Sequence, residues 1–317
     1  MIPDTNEVRI ETSTSCNAGC VFCPHPTEDF TRKREVMSLS DYVFYLDKCL
    51  SELGDQIQET TFSGFGEIFV DKNVEEKIAY ASSCDLAVHV LSNGSMLTPS
   101  RADKLFNAGV KDIRISLHTS NPDSYGKIMN YKSSKFTYES TIRNLNYVIN
   151  NKPDDVDVII TADIVEENKD DVDKLVEDFG DKCSLEIWKP HNWVYGKEYR
   201  DTSSENVLDS CGRPFNGPIQ IQIDGDVIMC CFDFDNKLVL GNFRNQTLKE
   251  IFSGPVFSKL YNHHKEGTCQ QSEFICSSCD QLKDKGEVVI YNNRVEDKNK
   301  RATLTSTALE KGELVNE

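Results

Sequence analysis

The sequence predicts an α/β fold built on parallel strands. Strand-like and helical segments alternate six times between residues 7 and 188, and capping residues mark several of the helix ends. After Trp188 this alternation stops and a hairpin pattern follows. Repeated alternation predicts parallel strands joined by crossover helices, arranged either as an open sheet or as a barrel.

The six strands are predicted from short apolar runs. In the first of them, residues 7–12, Val8 and Ile10 are the apolar members of an alternating pattern. The other five runs cover residues 59–63, 86–91, 110–117, 156–164 and 185–188.

The helices between these strands are predicted from their end signals and apolar spacing. Ser38 opens the first helix and Gly54 ends it, whereas Thr98-Pro99 opens a later helix that ends at Gly109. The remaining helices are predicted at residues 73–83, 137–150 and 170–179.

The chain after Trp188 is organised differently. Asp224-Gly225 predicts a hairpin turn between an alternating strand at 218–223 and a return strand at 227–231. A short helix is predicted at 247–252, with Thr247 as its cap. We therefore predict four parts, at residues 1–190, 191–210, 211–293 and 294–317; the charged composition of the last predicts disorder.

The bulk composition excludes some functions. The net charge of −17 disfavours a general nucleic-acid binder, which needs clustered lysine and arginine. No apolar run approaches the roughly 20 residues that span a bilayer, and the N-terminus lacks the features of a signal peptide. These observations predict a cytoplasmic protein that binds neither nucleic acid nor membrane.

The twelve cysteines are grouped, which in a reducing compartment indicates metal binding or redox chemistry. Cys16, Cys20 and Cys23 fall within eight residues, directly after the first strand. Three thiolates suit a soft metal site and are one fewer than a closed four-thiolate site needs, so an iron–sulfur cluster held there would keep one iron free. Three scattered cysteines are predicted to pack in the core: Cys49, Cys84 and Cys183.

The Cys-x3-Cys-x2-Cys spacing resembles the radical S-adenosylmethionine (SAM) enzymes, and the resemblance extends over roughly residues 7–190. Phe22 fills the aromatic place before the third cysteine. Gly64-Phe65-Gly66-Glu67, Ser92-Asn93-Gly94 and Ile115-Ser116-Leu117 resemble further family segments, each at the end of a strand. Ile68 stands where many relatives have proline.

The resemblance implies a partial (β/α)6 TIM-like barrel whose strand-end loops collect on one rim. It implies that Cys16, Cys20 and Cys23 hold a [4Fe–4S] cluster whose open iron chelates SAM. Reductive cleavage of SAM would give a 5′-deoxyadenosyl radical that abstracts a substrate hydrogen. The residues implied to contact SAM are Phe22, Gly64, Gly66, Glu67, Ser92, Asn93 and Ser116.

The later cysteines resemble the SPASM or shortened twitch module, which would form a small hairpin and helix module at residues 211–293. Thirteen residues separate Cys211 from Gly225, four more lead to Cys230, and Cys276-Ser-Ser-Cys279 follows. The resemblance implies one auxiliary [4Fe–4S] cluster, with those four cysteines as its ligands. Cys231 is expected to point to the opposite face of the strand and to pack, and Cys269 stays open as a replacement ligand.

The function implied is that of a radical SAM oxidoreductase or maturase acting on a sugar-like small molecule or a peptide. A fully thiolate-ligated auxiliary cluster would accept an electron from the substrate radical, and a flavodoxin or ferredoxin type of protein would donate to the first cluster. The alternatives are a non-catalytic iron–sulfur carrier or scaffold, and a zinc protein. A zinc site would use His25 as a fourth ligand, or the second cysteine group as a zinc ribbon.

A few further residues stay open from the sequence. Trp193, Tyr195, Lys197 and Arg200 either line a substrate pocket or form a linker packed on the second module, and the linker is favoured. His118 and Lys189 are candidates for handling substrate or protons, but a solvated loop position explains each equally well. His263-His264 is predicted at the surface.

Overall fold

The computed structural model describes residues 1–193, 198–200, 207–283 and 288–294. Within them, six parallel strands lie side by side in chain order and confirm the predicted α/β fold. They are β1 (Glu7–Ile10), β2 (Glu59–Phe62), β3 (Ala87–Ser92), β4 (Val110–Ser116), β5 (Asp157–Asp163) and β6 (Ser184–Trp188).

Helices cross from one strand to the next, as the pattern predicts. They are α1 (Leu39–Leu53), α2 (Val74–Ser83), α3 (Pro99–Asn107), α4 (Pro122–Met129), α5 (Tyr138–Asn151) and α6 (Val172–Phe179). Ser38 caps α1 by accepting from the Asp41 amide, and Thr137 forms a capping box with Ser140. Helix α4 is absent from the prediction although Asn121 caps it and Asn130 ends it in the left-handed conformation.

The C-terminal module continues the sheet beyond β1. Strand β7 (Ile219–Ile221) pairs parallel with β1, and β8 (Asp226–Ile228) and β9 (Val239–Asn242) follow antiparallel. The predicted hairpin turn is present, with Gly225 at φ +90°. The short helices α7 (Arg213–Asn216) and α8 (Leu248–Ile251) and the longer α9 (Pro255–Lys265) complete the module.

The opposite edge of the sheet carries a strand that the sequence does not predict. Strand β10 (Val289–Asn292) falls within the range predicted for the C-terminal module, yet it pairs antiparallel with β6 of the core. Arg294 beyond it forms a buried ion pair with Glu186 of β6. Residues 295–317, which include nearly all of the predicted tail, lie outside the described residues.

The two faces of the strands differ in chemistry, and this difference positions the site. Val8 and Ile10 of β1 are buried in the apolar core, whereas the alternate residues Glu7 and Arg9 form an ion pair at 2.8 Å. On β4, Arg114 similarly pairs with Glu186 at 2.7 Å. The interior face of the sheet is therefore polar and can surround a polar ligand. Among the described helices, none is long and apolar enough to cross a membrane.

Candidate active site

A cavity of about 310 Å³ lies at the carboxyl ends of the six parallel strands. All the strand-end segments singled out from the sequence meet there, because parallel strands end on the same rim. The lining residues with a predicted role are Cys16, Cys20, Phe22, Cys23, Gly64, Gly66, Glu67, Ser92, Asn93 and Ser116. Their common location supports the predicted site.

The loop that carries Cys16, Cys20 and Cys23, here called the cysteine loop, is held by backbone hydrogen bonds to the end of α4. The amides of Gly19 and Val21 donate to the carbonyls of Met129 and Ile128, each at 3.0 Å. Burial raises the pKa of Cys16 to about 11 and that of Cys23 to about 12, so the free thiols are protonated near neutral pH. Three half-buried thiols on one cavity wall form a donor set of the kind that iron–sulfur clusters use. Within the described ranges, no three His, Cys, Asp or Glu side chains lie close enough together to hold a single metal ion.

The segment after β2 packs directly on the backbone that leads into the cysteine loop. The amides of Gly66 and Glu67 donate to the carbonyls of Ser13 and Ser15, at 3.1 and 2.9 Å. A Cβ atom added to Gly66 would lie 2.4 Å from the Ser13 carbonyl oxygen, so only glycine fits this close approach. Glycine at this position therefore sets the distance between the two loops.

Glu67 joins the second and third strand-end loops. Its buried carboxylate accepts from the Ser92 hydroxyl at 2.7 Å, the Asn93 amide at 2.8 Å and the Phe69 amide at 3.1 Å. Burial raises the pKa of Glu67 despite these donors. The sequence resemblance implies that this region contacts the SAM amine; in the structure the carboxylate also holds the Ser92–Asn93 turn in place.

Asn93 continues this connection to the cysteine loop. Its side-chain amide donates to Asn17 at 2.9 Å, and Asn17 in turn donates to Ser95 at 2.9 Å. Asn17 lies between Cys16 and the rest of the cysteine motif, so the three loops form one hydrogen-bonded unit. Ser116 stands on the far side of the cavity, where its hydroxyl contacts Thr161 at 3.3 Å.

His118 is buried on the cavity wall, which corrects the prediction that a solvated loop position explains it equally well. Its ring packs edge-on against Phe22 with centroids 4.7 Å apart, and its Nδ1 accepts from the Asp163 amide at 3.0 Å. Its backbone adopts a positive φ of 64°, a conformation that the sequence gives no signal for. Lys189, the other candidate, is half-buried and does not line the cavity.

The buried His118 makes stability sensitive to acid. Desolvation lowers the pKa of His118 from 6.5 to about 3, so the unfolded chain binds its proton first and stability falls as pH drops below about 6.5. At pH 5.5 the contribution lost is about 1.4 kcal/mol. Asparagine tolerates a positive φ and has no titrating side chain. In His118→Asn, we therefore expect the difference in unfolding free energy between pH 7.5 and pH 5.5 to be smaller by about 1.4 kcal/mol. Urea titrations at the two pH values measure it; an unchanged difference would contradict the assignment.

Several lining residues carry no signal in the predicted motifs. Arg9, Arg114 and Gln222 lie on the inner face of the sheet, and Glu11 accepts from Arg32 beside Gly64. The Oε1 atom of Gln222 is buried and has no hydrogen-bond partner among the residues that the structure describes. The signal available for the first two was charge at alternate strand positions, which usually indicates a solvent-facing side.

Aromatic side chains from the segment that follows β6 line one part of the large cavity. Trp193 lines the cavity, and its indole nitrogen donates to the Phe22 carbonyl at 2.8 Å. Its ring lies 3.8 Å from that of His191, which in turn lies 4.0 Å from Phe232. Arg200 lines the cavity as well and pairs with Asp280 at 3.2 Å. Trp193 and Arg200 thus line the cavity and also pack on the second module, through Phe232, Phe234 and Asp280, so both predicted roles are present. Tyr195 and Lys197 lie outside the described residues.

A second, smaller cavity of about 20 Å³ brings the later cysteines together. Its walls include Cys211, Cys230, Cys276 and Cys279, the four predicted ligands. Burial raises the pKa of Cys279 to about 12, and the thiols around Arg213 raise the pKa of that buried guanidinium although its own desolvation opposes charge. Four thiols lining one cavity form a donor set of the kind that a cluster with four thiolate ligands uses.

The two remaining cysteines separate in the structure. Cys231 lines the large cavity rather than packing in the core, and its thiol interacts directly with that of Cys230, so the prediction that the two side chains point to opposite faces is wrong. Both residues lie beyond the end of β8 at Ile228, where strand alternation no longer applies. Cys269 is buried outside the small cavity and its thiol donates to the Asp209 carbonyl at 3.6 Å.

His264 corrects the prediction of a surface histidine pair. It is 2% exposed and lines the small cavity. Helix α9 turns Phe257, Leu260 and His264 to one buried face, at spacings of three and four residues. The stripe was present in the sequence, but α9 itself is missing from the prediction.

Comparison with known proteins identifies both regions. The model of the radical SAM superfamily matches residues 10–179, and that of the SPASM iron–sulfur cluster-binding domain matches residues 211–280. Among curated proteins, the GTP 3′,8-cyclase of Clostridium acetobutylicum is 30% identical over 129 residues, 39% of this chain and 38% of that protein. The chain therefore matches less than two thirds of the length of such relatives.

Other relatives align over most of their length. The S-adenosyl-L-methionine-dependent 2-deoxy-scyllo-inosamine dehydrogenase of Niallia circulans is 21% identical over 87% of this chain and 92% of its own. The structure of BtrN with AdoMet and 2-DOIA has a TM-score of 0.61 at 18% identity, covering 92% of this chain and all of that one. Streptococcus suis SuiB bound to its precursor peptide SuiA has a TM-score of 0.63 at 14% identity, covering 89% and 70%.

These matches agree with the partial TIM-like barrel and with an enzyme of the radical SAM oxidoreductase or maturase type. Its cofactors are SAM, a SAM-binding [4Fe–4S] cluster and an auxiliary iron–sulfur cluster. The radical SAM match alone covers more than half of the chain. The chain belongs to the radical SAM superfamily and carries a C-terminal SPASM iron–sulfur cluster-binding domain.

Proposed function

We propose that this enzyme oxidises a polar small molecule by two electrons. Cys16, Cys20 and Cys23 would hold the SAM-binding cluster, and Cys211, Cys230, Cys276 and Cys279 the auxiliary [4Fe–4S] cluster. When bound, these groups would supply a radical that removes a substrate hydrogen atom and an acceptor for one further electron. We also propose that the core spans residues 1–190 and the auxiliary module 211–283, because β10 pairs with the core.

One observation supports an oxidation reaction: two residues that are adjacent in the sequence line different cavities. Cys230 lines the small cavity and Cys231 lines the large one, so a single peptide bond connects the two walls. A ligand of an auxiliary cluster would thus stand beside a substrate in the large cavity. Such proximity favours electron transfer from the substrate over a purely structural role for the cluster.

The side chains on the inner wall of the large cavity favour a polar substrate. Arg9, Gln220, Gln222 and Cys231 all line it, and the buried Oε1 of Gln222 is an acceptor that finds no donor within the described part of the chain. Hydroxyl or amino groups on a small molecule would satisfy it. The Niallia circulans relative, a dehydrogenase that matches over most of both chains, adds weight to this choice.

We further propose that the SAM-contacting residues are Phe22, Gly64, Gly66, Glu67, Ser92, Asn93 and Ser116. All seven line the large cavity together with the three cysteines. A small flavodoxin- or ferredoxin-type protein would deliver the electron that initiates each turnover. Replacing dithionite with such a reduced protein in the assay tests this part.

The auxiliary cysteines provide the test of oxidation. In Cys276→Ala and Cys279→Ala, we expect 5′-deoxyadenosine formation to persist while oxidised product falls by about a hundredfold or more, because the substrate radical has no electron acceptor. Iron content should fall from about eight to about four per chain. Cys269→Ala serves as the control and should retain both iron and product.

The assay would offer a panel of aminated and hydroxylated sugar-like compounds alongside peptides, and would measure substrate-dependent 5′-deoxyadenosine by chromatography. Stimulation by the small molecules alone supports the proposal. Stimulation by peptides alone, or full product from the Cys276→Ala and Cys279→Ala variants, would contradict it.

A further inference from the structure

We propose that His264 donates a hydrogen bond from Nε2 to the auxiliary cluster and thereby raises its reduction potential. This inference rests on the proposed ligand set of Cys211, Cys230, Cys276 and Cys279. It assigns a role to a histidine outside the cysteine motifs.

The position of His264 places it against the cluster site. The residue lines the small cavity together with the four cysteines, and it is almost fully buried. Its Nε2 has no hydrogen-bond partner in the described structure. A buried polar nitrogen without a partner is costly, so an unsatisfied Nε2 at the edge of a ligand cavity indicates a partner on the ligand.

The proton on His264 is located by Ser210. The Ser210 hydroxyl lies 2.8 Å from Nδ1, and its oxygen also accepts from the Gly212 amide at 2.9 Å. Because the Ser210 oxygen already accepts from the Gly212 amide, we infer that the hydroxyl hydrogen points to Nδ1. Nδ1 therefore accepts, and the imidazole carries its proton on Nε2, the nitrogen that lacks a partner.

In the described part of the chain, no other residue on the walls of the small cavity forms a hydrogen bond with Nε2, although the polar Gln281, whose amide donates to Asp280, is among them. Met229, Leu238 and Ile275 are apolar, and Cys211 follows Ser210 directly. The sulfur atoms of a cluster and its thiolates are acceptors. A donor placed on them stabilises the added negative charge of the reduced state, and hydrogen bonds to sulfur are among the features that set cluster potentials.

This contact would help the auxiliary cluster to accept an electron. A higher potential makes transfer from a substrate radical more favourable. Arg213 also lines the small cavity, and its buried positive charge would raise the reduction potential of the cluster as well. The two residues come from α7 and α9, which pack on each other around the site.

The test uses the full chain carrying Cys16→Ala, Cys20→Ala and Cys23→Ala, so that only the auxiliary cluster remains, and follows its reduction by electron paramagnetic resonance during a potential titration. We expect His264→Leu to lower the equilibrium constant for reduction about tenfold, which is about 59 mV for one electron. His264→Gln keeps an amide donor and should stay near the parent. His263→Leu is the matched control, because His263 bonds Thr268 and does not line the cavity.

A second readout keeps the inference testable if a variant fails to load iron. In the parent protein labelled with nitrogen-15 histidine, pulsed resonance of the reduced cluster should detect one coupled histidine nitrogen. Two results would contradict the His264 contact without contradicting the ligand assignment. One is an iron-loaded His264→Leu variant with an unchanged reduction potential, and the other is an iron-loaded parent protein with no histidine coupling. A parent that binds no iron would instead overturn the ligand assignment, and with it this contact.

Discussion

Replacing Cys16, Cys20 and Cys23 with alanine is expected to reduce 5′-deoxyadenosine formation more than a hundredfold. The three thiols occupy one wall of the large cavity, and removing the ligands of a metal site costs more than the 10- to 100-fold typical of its supporting contacts. The auxiliary site lies on separate residues, so about four irons per chain should remain. Anaerobic reconstitution followed by chromatography and iron analysis gives both numbers.

Cys49→Ala provides a matched control for the loss of a thiol. Cys49 lies on the buried face of α1, fully enclosed in the apolar core, and lines neither cavity. Its replacement should cost about 1 kcal/mol of stability and leave SAM cleavage intact. SAM cleavage that survived in the triple variant would show that another site in the chain carries the reaction.

Gly66→Ala is expected to have the second largest effect. The added Cβ would stand 2.4 Å from the Ser13 carbonyl oxygen and 2.6 Å from that of Ser15, both parts of the backbone that leads to Cys16. One of the two loops must move, at a cost of about 1–3 kcal/mol. Displacing the cysteine loop should weaken SAM binding by about tenfold or more, which equilibrium dialysis with the reconstituted protein measures.

Gly126→Ala is the control for this glycine. Gly126 lies within α4, where an added Cβ meets nothing within 4 Å, so alanine should stabilise the helix by about 0.5–1 kcal/mol. SAM binding should be unchanged in that variant. If Gly66→Ala bound SAM as tightly as the parent, the close approach of the two loops would have no part in the site.

The strand-end segments were predictable because topology alone brings them together. Glu67, Asn93 and Ser116 each lie at or just beyond the end of a parallel strand, and all line the one cavity. The hairpin signal at Asp224-Gly225 similarly anticipates that Cys211 and Cys230 share a wall. The resemblance to radical SAM enzymes singled out these residues, and the order of the parallel strands accounts for their meeting at one rim.

Other features depended on backbone detail that no local pattern specifies. His118 reaches the cavity through a positive φ, and Cys231 lines it because β8 ends three residues before it. His264 is buried by a helix whose apolar stripe is only three residues long. Strand β10 joins the core sheet across a long sequence separation, so its pairing has no signal in neighbouring residues.

The measurement that tests the account most directly is SAM cleavage by the parent protein. The chain is reconstituted anaerobically to about eight irons, reduced with dithionite and incubated with SAM. The account predicts 5′-deoxyadenosine and methionine in equal amounts, and faster formation with a substrate that fits the large cavity. A preparation with full iron loading that binds SAM and forms no 5′-deoxyadenosine would contradict it.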